Sequence, residues 1–244
     1  MKAGDFSLHV LSDGYIKLDG GAMFGQVPKV IWQKIAKPDR QNRIRSGLNC
    51  LLIRSGERNI LVDTGVGSKE SQPFKDLYGF SNSRLVNNIK GLGLTVKDID
   101  TVILTNLHFD HSGGSTKLNH KGKPVPTFPK AKYYVQKACW EHAINPNEKE
   151  QAFIRPDDFL PIQEQGQLEL LDGDAEIATG VTIKQTNGHC YGHQTVLVNQ
   201  GCNKALFLGD LVPTCHHLQL NYLTAIDQFP EYTLSEKREF LSSA

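Results

Sequence analysis

Hydrophobic and polar positions along this chain fall into short strand-like runs divided by polar turns, with few stretches of helical spacing. Phe6 to Leu11 alternates in polarity, Ser12-Asp13-Gly14 reads as a turn, and Tyr15 to Leu18 continues the pattern, which predicts a hairpin. Asp19 to Pro38 reads as a loop with a short helix over Val30 to Ala36, ended by Pro38. A second hairpin is expected from Leu48 to Arg54 and Asn59 to Val62, joined through Ser55-Gly56-Glu57-Arg58. Its second strand runs directly into Asp63-Thr64-Gly65. Helical spacing covers Arg84 to Lys90 and stops at Gly91 and Gly93. Val102 to Leu104 and Lys132 to Val135 read as strands, the latter leading into a helix through Cys139 to Ala143. Asn145 to Pro161 is polar and carries Pro146, Pro156 and Pro161, so it reads as an excursion over the surface. Three short strands (Val181 to Gln185, Thr195 to Val198, Ala205 to Leu208) and a helix over Leu234 to Leu241 complete the chain. Strands in both halves with helices interspersed predict an α/β sandwich, whose ligands would gather at strand ends.

Composition narrows the class without naming a function. At 244 residues the chain can bury a sizeable core, and 39% hydrophobic with 22% charged residues suits a soluble globular protein. Lys plus Arg is 27 against 26 for Asp plus Glu, a balance that gives no support for nucleic-acid or membrane-surface binding. The five cysteines are scattered and odd in number, without a CxxC pair, which points to a reducing compartment. The first residues lack the apolar core of a signal peptide and no run approaches membrane-spanning length, so a cytoplasmic location is expected.

Three clusters could carry chemistry, each just past a predicted strand. The run Leu104 to Gly114 gathers His108, Asp110 and His111. Thr186 to His193 offers His189 and His193, and Leu206-Phe-Leu-Gly-Asp210 ends an apolar strand on a carboxylate. Burying two imidazoles and a carboxylate together costs several kcal/mol without a counter-ion, so a divalent metal is the natural partner of the first cluster. His9, His120, His142 and His193 read as structural histidines, and Asp210 alone could equally cap a turn. Leu107 and Phe109, alternating with the ligand positions, read as core.

With these residues in view, the sequence resembles the metallo-β-lactamase fold superfamily of hydrolases. Its His-x-His-x-Asp-His loop, later Gly-His-x-x-Gly-His and strand-end Asp align with Asn106, His108, Asp110, His111, His189 and Asp210. Ile60-Leu-Val-Asp-Thr-Gly65 looks like the early strand-end motif. Ser12-Asp-Gly-Tyr15, Asp19-Gly-Gly21 and Phe24-Gly-Gln-Val-Pro28 look like the branch holding acyl-homoserine lactonases and organophosphate hydrolases. The resemblance implies one domain over residues 1–244, a four-layer αββα sandwich, and one or two zinc ions held by His108, Asp110, His111, His189 and Asp210. It implies a hydrolase of a small ester, lactone or phosphoester that uses metal-bound hydroxide, with Asp110 holding the attacking hydroxide; a sheet edge left uncovered by a shortened end would favour pairing with another copy as a homodimer.

The chain departs from that pattern in three places. Asn106 replaces the first loop histidine and is expected to orient water or a substrate oxygen rather than bind metal. By analogy with a one-zinc branch carrying the same Asn, the Asp110–His111 side would be the one filled. No His follows His217 to serve as the last ligand. The pair His216-His217 is either a substitute or a packing element. No Tyr follows Asp210 until Tyr222, which weakens the lactonase assignment. Three readings stay open: a working hydrolase with water in each gap, a degenerate member that binds metal or ligand without turnover, and a shortened chain lacking its last strand and helix.

Overall fold

The first alternating run forms one long strand instead of a hairpin. After β1 (Lys2–Ala3), β2 runs unbroken through Phe6–Asp19, and its register with β3 (Arg43–Ser55) shifts between Ser12 and Gly14. Gly14 takes φ of 120°, which inserts one residue as a bulge and turns Asp13 into the core. There Asp13 Oδ1 accepts the N–H groups of Arg84 (2.9 Å) and Leu85 (3.0 Å), and Oδ2 that of Gly67 (3.0 Å). Ser-Asp-Gly suits a turn or a bulge alike, and the partner strand decides between them.

β3 pairs antiparallel with β4 (Arg58–Val62), and the sheet then continues parallel through β5 (Thr101–Ile103). A small hairpin, β6 (Thr116–Leu118) and β7 (Pro124–Pro126), precedes β8 (Lys132–Gln136) and β9 (Leu168–Leu171), which complete a seven-stranded sheet in the order β1-β2-β3-β4-β5-β8-β9. The second sheet holds β10 (Ala175–Ala178), β11 (Val181–Thr186), β12 (His193–Gln200) and β13 (Asn203–Phe207) in sequence order. The computed structural model describes residues 1–3, 5–56 and 58–242, so Glu57 of the expected Ser55–Arg58 turn lies outside the described residues.

Between the sheets Leu51, Ile53, Ile60, Val62 and Ile103 meet Val181, Ile183, Val196 and Val198. Each such side chain contributes about 1.5–3 kcal/mol on full burial. The helices are α1 (Gly20–Phe24), α2 (Lys29–Trp32), α3 (Gln72–Tyr78), α4 (Leu85–Gly91), α5 (Phe109–Ser112), α6 (Lys137–Ala143), α7 (Leu160–Glu164) and α8 (Pro230–Ser242). α4, α6 and α7 cover the outer face of the larger sheet, where Ile89, Trp140 and Ile162 pack on Leu52, Leu61, Val102 and Tyr133. The helix expected over Val30 to Ala36 is the single turn α2, fixed by Trp32 stacking on Phe24 at 5.3 Å. Among the described residues no helix is long and apolar enough to cross a membrane.

The stretch Asn145 to Pro161 is not a surface excursion. Glu150, Ile154, Asp158 and Phe159 are buried, and the segment docks along the loop that follows β5. Phe109 N–H donates to the Phe153 carbonyl at 2.8 Å, His108 bridges Ile154, and Lys69 meets Asp158 in a buried ion pair at 3.0 Å. Its apolar residues lack a helical or strand period, so tertiary contact rather than pattern buries them.

Candidate metal centre

Parallel pairing of β4 and β5 sets Val62 beside Ile103, so their chains leave the sheet side by side. Asp63 follows at once with φ of 58°, and its Oδ1 accepts the Thr105 N–H at 2.8 Å. Thr105 leads into the histidine loop. Asn106, fully buried, turns its Oδ1 back to accept the His108 N–H at 2.9 Å, a turn typical of asparagine. The single turn α5 then presents Asp110 and His111. Gly113 and Gly114 let the loop cross the chain leaving β4, since a Cβ on Gly114 would stand 2.1 Å from the Thr64 carbonyl oxygen. His189 arrives from the loop between β11 and β12, and Asp210 from the turn after β13.

Around Asp210 the imidazoles converge. Its Oδ2 lies 2.9 Å from His111 Nε2 and 3.0 Å from His189 Nε2, while His189 Nε2 lies 3.2 Å from His108 Nδ1. Among the described residues, His108, His189 and Asp210 offer donor atoms mutually within 4.8 Å. Asp110 Oδ2 is 3.8 Å from His111 Nε2. Behind each ring stands a carboxylate: Asp63 Oδ2 is 2.8 Å from His111 Nδ1, Asp227 Oδ1 is 2.9 Å from His189 Nδ1, and Glu150 Oε1 is 3.5 Å from His108 Nε2. A divalent ion fits this donor set. One nitrogen of each ring faces a common centre, and the other faces the carboxylate that fixes tautomer and orientation at metal sites.

The charges agree with that reading. Burial opposes a proton on His189, yet Asp210 and Asp227 raise its pKa to about 10. Burial likewise opposes charge on His111, and Asp210, Asp63 and Asp110 hold it well above the ordinary imidazole value. Asp210 in turn is held well below the carboxylate range, since the His111 and His189 rings outweigh the cost of its burial. Burial, followed by the neighbouring His189, drives His193 well below its usual value. The carboxylates thus favour a proton on both His111 and His189, as they would favour a cation among the rings.

The five expected ligands, His108, Asp110, His111, His189 and Asp210, all line one cavity of about 310 Å³. The set in closest register is His108–His189–Asp210, on the side expected to be weakened by Asn106. Asn106 itself serves the loop backbone. His193 accepts the Asp210 N–H at Nε2 (3.0 Å) and meets Thr186 at Nδ1, so it holds the Asp210 turn. His217 stacks on Phe24 and meets the Met23 carbonyl at 2.7 Å, a packing role. Glu150 and Asp227 carry no sequence signal, because each is a lone carboxylate outside any motif, Glu150 in a polar stretch and Asp227 between Ile226 and Phe229. Asp63 was visible at a strand end, but its partner was not.

Residues 44–243 match the metallo-beta-lactamase superfamily. A solved structure of a probable metal-dependent hydrolase from Staphylococcus aureus is similar, with 31% identity and a TM-score of 0.93 over 100% of this chain and 86% of that one. An N-acyl homoserine lactonase from a Bacillus species is 29% identical over 162 residues, 61% of this chain and 57% of the lactonase. The match thus spans little more than half the length of that curated relative. A dizinc quorum-quenching lactonase, solved with the product N-hexanoyl-L-homoserine, covers 100% of this chain and 85% of its own at TM-score 0.79. At 19% identity that likeness is one of fold.

Proposed function

The chain belongs to the metallo-β-lactamase superfamily, and on that premise we propose that it is a zinc-dependent hydrolase of a small, neutral ester or lactone. One observation carries this reading: three imidazoles and Asp210 converge, each ring braced from behind by a carboxylate. His108, His189 and Asp210 would hold the ion, with His111 and Asp110 beside them. A bound divalent ion supplies Lewis-acid activation of water and carbonyl. Asp110, at the cavity wall, would hold the attacking water by accepting a hydrogen bond from it.

The cavity wall narrows the substrate. Leu18, Leu48, Phe153, Phe207 and Ile226 line it, together with the polar side chains of Ser46, Asn49 and Thr224. Among the described residues neither Lys nor Arg lines it. An apolar acyl group suits that wall, whereas the charge of a phosphoester would find no Lys or Arg beside the metal centre to hold it. The lactonase relatives favour a lactone with an acyl side chain. Five free thiols suit a reducing, cytoplasmic compartment.

The test is zinc analysis of the purified 244-residue chain together with hydrolysis of an N-acyl homoserine lactone and of a phosphodiester. At least one zinc per chain and turnover of the lactone in preference to the phosphodiester are expected. A chain that takes up no zinc, or zinc-loaded protein that turns over neither compound, overturns the proposal.

A further inference from the structure

Two of the three outer braces form closed hydrogen bonds, while the third, Glu150, is left half-finished. Glu150 is buried to 1% exposure, and its Oε1 faces His108 Nε2 at 3.5 Å, the separation of an ion pair rather than a closed hydrogen bond. Among the described residues neither atom has a hydrogen-bond partner. A buried carboxylate oxygen and a buried ring nitrogen left facing one another cost free energy, unless a state of the protein joins them. Metal on Nδ1 of His108 is such a state, because it fixes the ring proton on Nε2, aimed at Oε1.

The other oxygen of Glu150 is anchored. Oε2 is in close contact with His142 Nε2, a partly buried ring on α6 that packs on Tyr191 at 4.6 Å. Asn147 holds the turn carrying the carboxylate, accepting the N–H groups of Lys149 (3.0 Å) and Glu150 (3.1 Å) at Oδ1. The backbone bond from Phe109 to Phe153 then fixes that turn against the ligand loop. Glu150 is thus supported by groups with no part in the ligand set.

Resting on the metal reading above, we propose that Glu150 is a positioning residue for the candidate metal centre. Held by His142, its carboxylate takes the outer N–H of His108, orients the ring and raises its basicity as a ligand. The role matters more here because Asn106 supplies no imidazole to the same side, leaving His108 and His189 as its nitrogen donors.

Zinc affinity measured by competition with a chromophoric chelator tests this without reference to turnover. Glu150→Ala should weaken zinc binding about 10–100-fold. Glu150→Gln, which keeps the acceptor but not the charge, should fall between Glu150→Ala and the parent. The ligand-field bands of the cobalt(II)-loaded chain should shift in both variants. If the parent binds zinc and both variants bind it equally well, the positioning role is overturned while the metal reading stands. If the parent binds no zinc, the metal reading itself fails. A purely structural Glu150 would lower the melting temperature of metal-free protein and leave the zinc affinity of the folded fraction unchanged, which also overturns the proposal. Should Glu150→Ala not fold, Glu150→Gln, close in volume, carries the test alone.

Discussion

The Asp63 carboxylate lies 2.8 Å from Nδ1 of His111, on the opposite ring nitrogen from the one that meets Asp210. Asp63 sits in the left-handed region, which asparagine also tolerates, so Asp63→Asn removes the charge without straining the backbone. Zinc affinity should fall about 10–100-fold. Chelator competition measures it, and an unchanged affinity would show that His111 needs no charged brace.

Asp210 meets both rings on one oxygen, so its loss leaves the inner nitrogens of His111 and His189 facing each other with no carboxylate between them. Asp210→Ala is expected to lose stoichiometric zinc and with it hydrolysis. Metal analysis beside a turnover assay checks both, and slow turnover that survives the substitution would place the chemistry elsewhere.

Metal-free protein should lose stability as pH rises. The His189 pKa is raised from 6.5 to about 10 by Asp210 and Asp227 against the cost of burial. The folded state therefore binds more protons than the unfolded chain between those values, and stability falls with pH across that window. The contribution is complete below 6.5 and lost as pH passes about 10. Thermal melts of chelator-treated protein should show a declining midpoint over this range, and the zinc-loaded chain a flatter profile. A midpoint that rises instead would contradict the assignment.

Asn106→Ala removes the acceptor of the His108 N–H inside a fully buried loop and should cost about 1–3 kcal/mol. Asn106→Asp retains an acceptor oxygen. Urea unfolding gives the difference. A loss of zinc from Asn106→Ala with unchanged stability would mean that Asn106 acts on the ion and not on the loop.

The candidate ligands are legible in the sequence because chain order brings them out. His108, Asp110 and His111 lie within four positions, and His189 and Asp210 each follow an apolar strand. Partners set by docking alone are not. Glu150 lies in a polar stretch that resembles a solvated loop, Asp227 stands alone between Ile226 and Phe229, and only the fold reveals the rings behind which they stand. Asp13 lies in a tripeptide that serves a turn and a bulge equally, and the long pairing of β2 with β3 chose the bulge. His217 looked available for ligation, but Phe24 and the Met23 carbonyl claim it.

Lys149 donates from Nζ to the Asp227 carbonyl at 3.1 Å, so consecutive residues of one segment reach both the loop behind His189 and, through Glu150, the ring of His108. Thermodynamic linkage makes this contact two-way. Whatever free energy the docked segment lends to ion binding, the ion must return to the docking. Zinc should then slow amide exchange across residues 147–154, some distance along the chain from any ligand, by the same factor that undocking the segment would cost in affinity.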